Sequence, residues 1–169
     1  MHLKSLTIAF MLSLLPCVVA SQVDMGTIWE GGNWSVKVVS YGSSGYSCEA
    51  QTFQNGHLLT IAIGQNGAKT MSFISSGSLG SEIRNTVMLS VDRKVYNFSV
   101  RGKNLSPVEY IARGELDNDE MSRKLLIDLT FGHYLKILDS HNQVTAKWIL
   151  DGSSEALQEA KACQEILAK

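Results

Sequence analysis

Apolar and polar residues alternate in short runs along most of this chain. In Tyr46–Phe53, Tyr46, Cys48, Ala50 and Thr52 fall on one face and Ser47, Glu49 and Gln51 on the other. A period of two is that of a strand with one face toward a core. Asn55-Gly56 follows, the dipeptide that best tolerates the left-handed conformations of a two-residue hairpin turn. Such a turn predicts Thr52 opposite Leu59, Ala50 opposite Ile61 and Cys48 opposite Ile63. The next connection, Gly64 to Ala68, fits a three-residue loop with Gly67 left-handed. That register sets Ile61 opposite Met71 and Leu59 opposite Phe73. Both turns place apolar residues on the cysteine's face, so the core is expected there.

The pattern recurs. Trp34, Val36 and Val38 alternate near the start, and Val87, Leu89 and Val91 run into a turn at Asp92-Arg93. That turn predicts Leu89 opposite Tyr96 and Val87 opposite Phe98. Leu125, Ile127 and Leu129 read as a further strand face, as do Leu135 with Ile137, and Val144 to Leu150. About eight or nine antiparallel strands at this spacing predict a mainly β fold, a sandwich or barrel. The glycine- and serine-rich stretch from Ile74 to Asn85 is the longest irregular connection.

Only the C-terminal end changes period. In Leu150–Cys163, Gly152 ends the last strand and Ser153 or Ser154 is placed to cap a helix carrying Glu155 in its first turn. Ala156, Ala160, Cys163 and Leu167 then share one helical face. The expectation is a helix over 153–167 packed on the sheet through small residues, delivering Cys163 to it.

The N-terminus adds the compartment. Lys4, an apolar stretch from Leu6 to Val19, and Val18 and Ala20 before the cut describe a signal peptide over 1–20. The stretch is interrupted by Pro16 and is too short to span a bilayer. Pro16 also fits poorly before a lipoprotein cysteine at Cys17. Residues 21–169 are then expected to form a single exported domain, periplasmic or secreted, with no membrane span after cleavage. Cys48 and Cys163 remain after cleavage, and in an oxidising compartment they are expected to form one disulfide. The whole chain of 169 residues has a formal net charge of −1, which gives no reason to expect a nucleic-acid partner.

Chemistry is sparse. Gly42–Gly45 and Ser76–Gly80 lack the spacing of a serine elbow or a phosphate cradle. Asp117, Asp119 and Glu120 supply oxygen ligands of the kind calcium takes, without an EF-hand's glycine and distal Glu; a solvated hairpin tip is the plainer reading. Arg93, Arg101 and Lys103 form a candidate basic edge for an anionic partner surface. Tyr96 and Phe98 lie between bases, but the register already assigns them to the core. His57, His133 and His141 stand at or beside turns, and no cofactor or metal is expected.

The order of four pieces is informative: the aromatic-led "NWSV", then "CEAQTFQNGHLLTIAI", then "VMLSVD", and finally "WILDGSSEALQEAKAC". This order resembles small exported α-proteobacterial proteins of the invasion-associated locus B type, over most of the chain after the leader. The chain departs from that type at Lys37-Val38-Val39, where members carry an additional cysteine. The resemblance implies a β-sandwich of the cell envelope or secretome, associated with host interaction, and transfers no ligand-binding residue. The leading expectation is a non-catalytic module binding an envelope or host protein, or an enzyme to be inhibited. Two alternatives are a lipid carrier with a closed-barrel cavity and a hydrolase using His133 or His141 with Asp139.

Overall fold

The computed structural model describes residues 22–76, 86–106 and 109–169. The expected leader and most of the glycine- and serine-rich connection lie outside the described residues. The elements are β1 (Val23–Gly31), β2 (Trp34–Ser40), β3 (Tyr46–Gln54), β4 (His57–Gly64), β5 (Lys69–Ser76), β6 (Thr86–Val91), β7 (Lys94–Ser99), β8 (Arg101–Ser106), β9 (Glu109–Glu115), α1 (Glu120–Phe131), β10 (Tyr134–Leu138), β11 (Val144–Ile149) and α2 (Ser153–Leu167). Seven strands form one sheet in the order β1-β2-β3-β4-β5-β9-β8, and four form a second in the order β11-β10-β6-β7. All pairings are antiparallel. Among the described residues neither sheet closes on itself, so the architecture is an open sandwich and not the closed barrel expected of a lipid carrier.

Turn chemistry sets the registers. Asn55 and Gly56 both have positive φ, 53° and 82°. The β3–β4 hairpin accordingly pairs Thr52 with Leu59, Ala50 with Ile61 and Cys48 with Ile63. Gly67 at φ 80° leads to Ile61 opposite Met71 and Leu59 opposite Phe73. Asp92 at φ 53° turns β6 into β7, with Leu89 facing Tyr96 and Val87 facing Phe98. Asn and Asp tolerate this region because their short polar side chains bond locally.

Three expectations are corrected here. Residues 125–129 are not a strand but the middle of α1. Leu125 and Leu129 are fully buried, whereas Ile127 is 56% exposed, which a strand face would not allow. The nucleus of this helix is Asp119, whose extended backbone and carboxylate accepting from the Ser122 amide at 2.7 Å make an N-cap. The "ELDNDE" stretch therefore leads into a helix and is not a hairpin tip. Among the described residues the strands number eleven, because β1, β8 and β9 also form.

The closing helix is capped differently from expectation. Its N-cap is Gly152, left-handed at φ 87°, with no side-chain cap. Buried Ser153 instead donates through Oγ to the Leu129 carbonyl at 2.8 Å, and to Thr130's at 3.3 Å. The last carbonyls of α1, orphaned by the end of its own ladder, find their donor there.

The core occupies the Cys48 face of the seven-stranded sheet. Trp34, Val36, Ala50, Leu59, Ile61, Met71, Phe73, Tyr110 and Ala112 from that sheet join Leu89, Phe98, Leu135, Ala146 and Trp148 from the other, with Leu125, Leu129, Ala156 and Ala160 from the helices. Cys48 and Cys163 are disulfide-bonded with their Cα atoms 6.1 Å apart. Among the described residues, no helix is long and apolar enough to cross a membrane.

Candidate functional site

The residues that the large sheet gives to the main hydrophobic cluster lie on its Cys48 face, where the second sheet and the helices contribute theirs. On its other face Val39, Ser47, Glu49, Thr60 and Ala62 are also buried. The strand registers arrange that outer face in rows. Phe53, Leu58, Ile74 and Ile111 are successive cross-strand partners over β3, β4, β5 and β9. Phe53 is 70% exposed and the other three are partly exposed. At the usual strand spacing the row is about 14 Å long. The neighbouring row is polar: Gln51, Thr60, Ser72, Arg113 and Arg101. The next contains Lys37, Glu49, Ala62, Thr70 and Glu115.

Glu49 anchors the polar half. It is buried, and its carboxylate accepts from the Tyr41 hydroxyl at 2.6 Å, the Ser47 hydroxyl at 2.8 Å and the Gln51 amide at 2.9 Å. Three donors offset the cost of burying this carboxyl group. Burial first, and then the bond to Glu49, push the Tyr41 hydroxyl pKa up to about 12. The phenol therefore stays protonated as a donor.

On the core side, His57 is half-buried between the sheets. Its Nδ1 lies 2.7 Å from the Ser75 hydroxyl, and its carbonyl accepts from the Trp148 indole at 3.1 Å. Desolvation lowers the imidazole pKa below its ordinary 6.5. The unfolded chain then takes up the proton more readily, so stability is complete above about pH 6.5 and is lost as pH falls through the folded value. Melting midpoints measured downward from pH 7 should fall in a first phase below about pH 6.5, and His57→Gln should remove that phase. The Ser122 amide holds the Asp119 carboxyl below the ordinary carboxylate range, and at Asp128 burial is outweighed by the bonds from Lys94 and Tyr96, so both titrate below this window.

The residues singled out in the sequence have other occupations. Asp117 accepts from the Lys69 amide and pairs with its ammonium at 3.8 Å, Asp119 caps α1, and Glu120 pairs with Lys124 at 2.7 Å. No group of three or more potential metal ligands converges among the described residues. His133 precedes β10 and binds Asp92, while His141 lies beyond the strand's other end. Asp139 accepts from the amides of His141 and Gln143, both at 2.8 Å, as part of a turn. Asp139 and His141 thus meet through a main-chain amide, while β10 separates His133 from both.

Arg93 sits in the β6–β7 turn, and six-residue β7 separates it from Arg101 by roughly 20 Å. The Lys103 side chain lies outside the described residues. Arg101 instead meets Arg113, its direct partner on β9. That pair and the apolar row escaped the sequence reading, since both depend on which strands become neighbours.

Compared with protein-family models and with curated proteins, the chain matches none. Among solved structures it is similar to the crystal structure of invasion associated protein B from Bartonella henselae. That similarity has a TM-score of 0.59 and 18% identity, over 82% of this chain and 98% of that one. At that identity the likeness is one of fold.

Proposed function

We propose that the protein is an exported, non-catalytic binding module that docks a partner protein through the outer face of its seven-stranded sheet. The observation carrying this is the row Phe53–Leu58–Ile74–Ile111, contiguous over four strands on the face opposite Cys48, with Phe53 exposed and the other three partly exposed. Contiguous apolar surface with an exposed aromatic at one end is what interface centres are made of. Its spacing of about 4.8 Å nearly matches the 5.4 Å pitch of an α-helix, so three turns of an amphipathic helix lie along it. The occupant is accordingly a protein presenting an apolar strip. The leader and the disulfide support export. The likeness in fold to a protein named for invasion supports an envelope or host-surface partner.

A photo-crosslinking residue at position 53, with a control at exposed position 159 on α2, tests the face. The expected result is one identified protein crosslinked from 53 and not from 159. Purified, that protein should bind the unmodified chain saturably, and Phe53→Ser should weaken binding at least tenfold. Stability should change by less than about 1 kcal/mol, as befits an exposed position. Equal crosslinking from both positions, or affinity unmoved by Phe53→Ser, overturns the assignment.

A further inference from the structure

The two arginines at the β8 end of the outer face form a pair that the fold places against its own electrostatics. Arg101 opens β8, Arg113 lies directly opposite on β9, and both are exposed. Direct partners in an antiparallel ladder project to the same side from Cα atoms about 5 Å apart, and like charges so placed repel. Among the described residues, neither guanidinium has a carboxylate within ion-pair distance. Arg113 is aimed by a bond from its Nη2 to the Thr70 hydroxyl, 3.1 Å long.

Beside the pair, the chain turns a corner from the small sheet into the large one at buried Val100. β9 presses against this corner at Gly114. A Cβ there would overlap the Ser99 carbonyl oxygen and stand 2.6 Å from the Phe98 ring, so only glycine permits the approach. Next to that contact opens a cleft of about 710 Å³, lined by Arg101, Arg113, Thr70, Thr86, Ser99 and Asn118. Its volume is in the range of small-molecule sites and several times that of a bare tetrahedral anion. Two guanidiniums supply forked donors for such an anion, and three hydroxyls and an amide suit a hydroxylated body. Glu115 is the acid on this lining, and it opposes an anion there.

We propose that this cleft binds an anionic saccharide, a sugar carrying a sulfate or phosphate ester. The ester sits between Arg101 and Arg113, and the ring hydroxyls face Thr70, Thr86, Ser99 and Asn118. The site goes beyond the docking reading and does not need the apolar row.

Calorimetric titration of the purified protein at matched ionic strength tests it with galactose 6-sulfate, glucose 6-phosphate, inorganic sulfate and galactose. At least one of the two esters should bind tenfold or more tightly than inorganic sulfate, with galactose silent. Arg101→Gln and Arg113→Gln should each weaken that binding at least tenfold, and Glu115→Gln should tighten it. Arg101→Gln should also raise the melting midpoint in low-salt chloride, since it removes the repulsion. Phe53→Ser should leave the titration unchanged, so loss of the docking function and loss of this site are separable. Failure of both esters to bind, affinity no better than for inorganic sulfate, or indifference to the arginine substitutions overturns the proposal.

Discussion

Replacing Cys48 and Cys163 together by alanine is expected to lower the unfolding free energy by about 4 kcal/mol. The bond joins residues 115 apart in sequence, and closing a loop of that length in the unfolded chain is worth about 4–5 kcal/mol in the chain-entropy model. For a domain of this size the midpoint should drop on the order of 10 °C. The effect should concentrate at the C-terminus, because α2 has little else to hold it. Its buried positions are mostly small: Ser153, Ala156, Ala160 and Cys163, with Leu157 the single large one. Apolar burial scales with area, so two alanines contribute far less than two leucines in their place. At the N-terminal end, the Ser153 bond to the α1 carbonyls is the main polar tie. Hydrogen exchange should therefore show α2 amides losing protection before those of β3 and β4. Reduced wild-type protein should behave like the double variant. Identical midpoints for oxidised and reduced protein would mean that closing this loop contributes nothing to stability.

How much of this was legible depended on whether a local signal fixed the geometry. The β3–β4–β5 registers were, because Asn55-Gly56 and Gly67 impose turn lengths that leave one pairing for the apolar faces. The closing helix was, because Ala156, Ala160 and Cys163 recur at a period no strand shares. Helix α1 was not. Leu125, Ile127 and Leu129 satisfy a period of two, Leu125, Leu126 and Leu129 satisfy 3.6, and a short apolar run does not arbitrate between them. Asp119 held the deciding information as a cap, but an acidic cluster with Asn also reads as a turn. The strands at or next to the edges of the large sheet hid for a different reason. β1 is exposed along nearly all its length and shifts register twice, and β8 and β9 mix charge and glycine with apolar residues. Without β8 and β9, Arg101 and Arg113 are merely two bases twelve positions apart. The outer row likewise exists only across strands. Along each strand, Phe53, Leu58, Ile74 and Ile111 are the single large apolar residues on the face expected to be polar.

The residue that most depends on both sheets is Trp148, and Trp148→Ala is expected to cost about 3–5 kcal/mol. Its side chain is fully buried on β11, where it pairs with Leu135. The indole lies 6.5 Å from the Phe73 ring and edge-on to His57 at 5.9 Å, both belonging to the opposite sheet. Its Nε1 donates to the His57 carbonyl at 3.1 Å. Two contributions are thus combined, and a second variant separates them. Trp148→Phe retains much of the apolar contact but leaves the carbonyl without this donor, a loss of about 1–3 kcal/mol if the group stays dry. Urea unfolding monitored by circular dichroism should rank the three proteins as wild type, Phe and Ala, with similar m-values if the unfolded states are alike. Phe73→Leu should be less costly in the Trp148→Ala background than alone, since the two rings share a contact and cannot lose it twice. A cost for Trp148→Ala below about 1 kcal/mol, or full additivity with Phe73→Leu, would show that the sheets are held by other contacts than this one.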